Sequence, residues 1–269
     1  MSAVATEVTR RAVDGAAVRR ALDTVVDPEL DEPVTDLGFV RSVEVDGARV
    51  EVHLRLPTSF CAPNFAYLMA SDAKDALQAV RGVREVVVEL DDHPASGLLN
   101  RGLAAGAGYR GTFGHEALDS LDDLRETFRR KACTAAMERC LTAWLREDPA
   151  RRPEDVAARR LRDLPAGAAT EALVRRRRET GLGTAPLDPV LVDDAGRPVP
   201  QADAPLRLRL ARSTRISIDG NAHFCRGLLR TRYPGSGADQ SDRPDELERP
   251  DPVVVPLLTT RPDHLEDQR

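Results

Sequence analysis

The sequence predicts an α+β protein: a small helix-strand-strand-helix-strand domain at the N-terminus, then a mostly helical region that can hold one β-hairpin. Three patterns lead to this. Apolar residues recur at helical spacing from Ala17 to Val26, polar and apolar residues alternate around Asp46-Gly47, and a second helical stripe from Phe65 runs into the Val-rich stretch Glu85 to Leu90.

In order, Ala17, Val18, Ala21, Leu22, Val25 and Val26 form the first helical face, which Pro28 stops by disfavouring helical geometry at Asp27. Arg41 to Val45 and Val50, Val52, Leu54 and Leu56 flank a dipeptide favoured in tight hairpin turns. His53 shares the register of Arg49, Glu51 and Arg55, on the polar face of that strand, where it is not read as a ligand. Phe65, Met69, Ala73, Ala76, Leu77 and Val80 make the second helix, with Gly82 supplying the left-handed residue that commonly ends one. The Val-rich run adds a third strand.

The 269 residues carry a formal net charge of -5, which gives no general reason to bind nucleic acid. Arg175 to Arg178 forms one basic run, read as a solvated helix face. No apolar run is long enough to cross a membrane, and Met1-Ser2-Ala3-Val4 lacks the basic-then-apolar start of a secretory leader, so the expectation is cytoplasmic. The four cysteines, at 61, 133, 140 and 225, have no paired spacing of the zinc-ribbon kind. Reduced thiols follow.

Cys61 holds the position of greatest chemical interest. It stands in Leu56-Pro57-Thr58-Ser59-Phe60-Cys61-Ala62-Pro63-Asn64, between a strand and a helix start, where unpaired N–H groups and the helix dipole favour the thiolate. The competing reading is a small buried residue at a corner, a common role for free cysteine.

Asp27-Pro28-Glu29, Asp36-Leu37-Gly38-Phe39-Val40, Thr58-x-x-Cys61, Leu68-x-x-Ser71-Asp72-Ala73 and Gly82-Val83-x-x-Val86-x-Val88-x-Leu90 follow one another in order. Together they resemble the iron-sulfur cluster assembly family that contains PaaD-like and SufT-like proteins, over residues 14–91. The resemblance implies a non-catalytic role in building or delivering iron-sulfur clusters, with Cys61 as the family's cysteine and Asp27, Glu29 and Thr58 at its characteristic loop positions. It differs in two places: Ala62 separates Cys61 from Pro63, and Asp91-Asp92-His93-Pro94 replaces an aromatic segment.

One thiolate is a short ligand set, since clusters typically take four. Pairing two chains in a homodimer, external thiols, or transient holding during transfer would each complete it. The acidic residues from Asp27 to Asp36 lack calcium-loop spacing and read as turn formers. Cys133 and Cys140, two turns apart on a helical stretch from Leu118 to Leu145, are about 10 Å apart along its axis and read as core. His223 and Cys225 read as a rival metal pair, projecting together if the segment is a strand, with His93, His115 or Glu116 as further ligands.

Beyond the first domain, the glycines between 92 and 116 suggest a linker, 117–233 a mainly helical region with a hairpin where Leu206, Leu208, Leu210, Ile216 and Ile218 alternate, and 234–269 a flexible tail. The leading expectation is an assembly or transfer factor, not an enzyme, that matures a recipient metalloprotein alongside the iron-sulfur assembly machinery, with a transient cluster on Cys61. The alternatives are a contact-only chaperone for a metal-dependent oxygenase and a thiol enzyme using Cys61 as nucleophile.

Overall fold

The computed structural model describes residues 13–116 and 121–234. Helix α1 (Gly15–Leu22) begins where the Asp14 carboxylate accepts the Ala16 N–H, and it buries Val18 and Leu22. A short antiparallel pair, β1 (Val26–Asp27) with β2 (Glu32–Pro33), then folds the acidic loop back on itself. Strand β3 (Val40–Asp46) pairs antiparallel with β4 (Arg49–Leu54) across Gly47, whose φ of 58° is the left-handed conformation that the turn requires. Helix α2 (Pro63–Gln78) crosses to β5 (Glu85–Leu90), which lies parallel to β4, giving the order β3-β4-β5. Val50, Val52, Leu54, Val88 and Leu90 face α2 with Ala66, Met69, Ala70, Ala73 and Leu77 in one core.

The glycine-rich segment 92–116, expected to be a linker, instead carries two helices, α3 (Ser96–Ala105) and α4 (Gly108–Phe113). Leu99 and Leu103 join the first core, and Asn100 exchanges two hydrogen bonds with the Leu90 backbone, satisfying the end of edge strand β5. Tyr109 and Phe113 pack on Tyr67 of α2 with ring centroids 5.6 and 5.7 Å apart. One glycine permits close approach rather than flexibility: a Cβ on Gly102 would lie 2.1 Å from the Thr112 hydroxyl.

A second core lies among α5 (Leu121–Arg146), α6 (Ala168–Glu179), the segment Val190 to Val192 and the start of α7 (Ala204–Arg232). Cys133 and Cys140 are buried in it, as expected, and burial pushes both thiols up from the ordinary value. The arginine run is less solvated than its composition suggests. Arg177 is buried and donates to the Gly183 and Pro189 carbonyls, while Arg176 pairs with Asp31 of the acidic loop.

Residues 206–218, read as an alternating hairpin, belong to the continuous helix α7. Their leucines misled because Leu206 and Leu210 are exposed, along with Ile216. The inward seam runs through 204, 208, 211, 215, 218, 222, 225 and 229, at spacings of four and three. Ala204, Leu208 and Ala211 enter the second core, and Ala222 and Leu229 the first. This one helix therefore packs against both. The tail expected over 234–269 lies, apart from Pro234, outside the described residues.

Candidate functional site

Cys61 occupies the corner between β4 and α2, just ahead of the Ala62 N-cap and of Pro63, which takes the first helical turn without a missing donor. Ala62 has no capping side chain, so the two-residue step before the proline leaves Cys61 outside the helix, half-buried. Its Sγ is 3.5 Å from Thr58 Oγ1, which accepts the Phe60 N–H at 3.1 Å. When the sulfur is ionised only the hydroxyl can donate, so Thr58 is a built-in partner for the thiolate. Phe60, immediately before the cysteine, is 93% exposed.

His93 is the residue of this corner that sequence reasoning misplaced. It is buried, accepts the Ala95 N–H on Nδ1 at 3.1 Å, and its Nε2 donates to the Cys61 carbonyl oxygen at 2.9 Å. Both ring nitrogens are committed to backbone, so His93 braces the loop that carries Cys61 and is not a base for its thiol. The motif departure at Asp91 to Pro94 supplied the signal: a histidine directly after the strand beside the cysteine strand.

Asp27 and Glu29 divide the acidic loop's work. Asp27 is buried, and one carboxylate oxygen accepts the Glu29 and Leu30 N–H groups, each at 2.9 Å. Burial pushes its pKa up to about 6; the Leu30 and Glu29 N–H groups oppose that shift, and the Glu29 charge adds to it. Glu29 is exposed and accepts from Asn221 Nδ2 of α7 at 3.1 Å. The expected role of this loop as a turn former thus coexists with a second one, as a receptor for α7.

Asp27→Asn keeps an oxygen for both N–H groups and removes the buried charge. Because the folded pKa is raised, the ionised carboxylate costs stability that is absent below 3.8, grows up to about pH 6 and is constant above it. The variant should therefore be more stable than wild type at pH 7 by about 1–3 kcal/mol and indistinguishable from it at about pH 3, by urea unfolding. Destabilisation at pH 7 would show that the carboxylate has a favourable partner there.

The rival pair separates. On helix α7 residues two apart point in different directions, and His223 is exposed while Cys225 is half-buried on the inward seam. Among the described residues, no compact group of three ligand side chains includes either of them; the group that exists is His53, Glu89 and Asp91. His53 there bonds Asp91 at 2.9 Å, and Arg41 meets the same carboxylate at 2.8 Å. The hydrogen bond to Asp91 holds the imidazole above its ordinary value despite partial burial. An ion-pair network accounts for it.

A family model described as iron-sulfur cluster assembly protein matches residues 15–90. An uncharacterized protein of Methanocaldococcus jannaschii is 36% identical over 77 residues, 28% of this chain and 79% of that protein. An iron-sulfur cluster carrier protein of Deinococcus radiodurans is 37% identical over 73 residues, which cover 27% of this chain and 20% of that protein.

Proposed function

The chain belongs, through its first domain, to the iron-sulfur cluster assembly protein family, and from that premise we propose that it holds a cluster transiently on Cys61 and passes it to a recipient metalloprotein. The cluster is cargo rather than a resident group. One observation carries the reading: the Cys61 sulfur stands at an open strand-helix corner whose backbone is braced by His93 and whose thiolate has the Thr58 hydroxyl as partner.

A thiolate is the soft donor that iron-sulfur cargo needs, and half-exposure leaves it reachable by a recipient's own thiols. Transfer between thiolates requires ligands that let go. A chain that surrounded its cargo with four cysteines would hold on to it; here Cys133 and Cys140 are buried in the other core and take no part. The ring beside the site supports hand-over, since Phe60 precedes Cys61 and is 93% exposed. Among the described residues, no helix is long and apolar enough to cross a membrane.

Anaerobic reconstitution with iron and sulfide, followed by transfer to an apo-ferredoxin as recipient, tests this. Cys61→Ser should reduce bound iron and sulfide and slow transfer by at least about 10-fold, the smaller loss usual for even an outer-shell metal partner. Equal cluster content and transfer by wild type and variant would remove Cys61 from the function. Loss of cluster content with full activation of a metal-dependent oxygenase would favour a contact-only chaperone instead.

A further inference from the structure

We propose that Cys225 is a second cargo-binding thiolate, brought to Cys61 by helix α7, so that a single chain offers a two-thiolate site for a soft metal ion or cluster. This rests on the preceding reading of Cys61 and adds the partner that its own domain lacks.

Three observations place Cys225 there. It lies on the inward seam of α7, one turn before Leu229, and both it and Cys61 pack against the same hydrophobic core. Its neighbours on the helix fasten that stretch to the loops around Cys61: Asn221 bonds Glu29, Arg226 pairs with Glu32, and Arg232 donates to the Leu56 carbonyl at 3.2 Å. Beyond the helix end, the Tyr233 hydroxyl donates to Asp92 at 3.1 Å, beside the His93 that braces Cys61. Finally, burial pushes the Cys225 thiol up to about 11, and Cys61, Asp27 and Glu29 lie near enough to add to that shift.

Those charges suit a cation. Coordination of a divalent ion displaces thiol protons. Binding of one ion by both residues forms two metal–sulfur bonds and releases to solvent whatever thiol protons the two sulfurs still carry, with no change of oxidation state. Two ligands come from the chain, and the remaining positions stay open to external thiols, a second chain or the recipient. That arrangement is a half-site, firm enough to load and incomplete enough to unload.

The probe is Co2+ added anaerobically to the full chain. Sulfur-to-cobalt charge-transfer absorbance grows with the number of bound thiolates, so Cys225→Ser should halve it and Cys61→Ser should do the same, with the double variant showing none. Because a seam substitution can disturb packing, the unmutated protein supplies a second measurement: Co2+ should protect both Cys61 and Cys225 from alkylation, read by peptide mass spectrometry. Protection of Cys61 alone, unchanged absorbance in Cys225→Ser, or no thiolate absorbance in wild type would each overturn the proposal. If Cys61→Ser still abolishes cluster loading while Cys225→Ser leaves it intact, the two-thiolate site falls and the transfer function stands.

Discussion

Leu229→Ala is expected to lower the unfolding free energy by about 2–5 kcal/mol, the range for emptying a buried leucine site. Leu229 is 1% exposed and is the last buried aliphatic residue of the α7 seam. Its Cδ2 lies 3.1 Å from the point where a Cβ on Gly38 would stand. Gly38 adopts φ +75° in the turn before β3, a conformation that other residues resist, so this wall has no side chain with which to fill the hole. Poor relaxation puts the expected value in the upper half of the range. Urea unfolding measures it, and a loss below about 1 kcal/mol would mean that the end of α7 is not docked on the first core.

Glu138→Ala should cost about 3 kcal/mol through the other end of the same helix. The Glu138 carboxylate is fully buried and accepts from Thr142 Oγ1 at 2.7 Å, from Arg212 Nε at 3.1 Å, and from Arg215 on the α7 seam. Removing it leaves the Arg215 guanidinium, 24% exposed, with Asp219 at 2.7 Å as its remaining partner, and Arg212, at 48%, can turn to water, which keeps the cost at the low end for a broken buried pair. Burial raises the carboxyl's pKa, but the Thr142 hydroxyl and the two guanidiniums outweigh it, and the net result is below the ordinary 4.5. The stabilisation is therefore complete above that ordinary value and fades as the pH falls through the lower folded one. The gap between wild type and variant should narrow on acidification; a gap unchanged at pH 3 would argue for packing rather than charge.

The first domain was legible because its signals are local. Gly47 sets a hairpin through its own left-handed conformation, Pro63 marks where α2 starts, and alternation in β4 assigns the faces that the structure buries. Cys61 and Thr58 could be read as a pair for the same reason, being three residues apart. What stayed hidden depends on residues far apart. The glycines of 92–116 look like flexibility until Thr112 is seen to fill the space above Gly102 and Tyr67 to receive Tyr109 and Phe113. Leu206, Leu208 and Leu210 look like one strand face because this helix exposes two of its leucines, and the true inward side mixes Leu208, Ile218 and Leu229 with the small residues Ala204, Ala211 and Ala222. Cys225 and His223 look like a pair because they are two residues apart, but on a helix that spacing turns one inward and the other to solvent.

The unbroken course of α7 also sets an angular clock. Ten residues separate Arg215, tied to Glu138, from Cys225, and a helix turns about 100° per residue, so the two keep a fixed phase. Inserting one residue after Gly220 would leave every anchor before it in place and swing the thiol about 100° away from the Cys61 corner. The rotational setting of α7, held at Glu138 and again at Glu29 and Glu32, thus decides which way a cysteine faces.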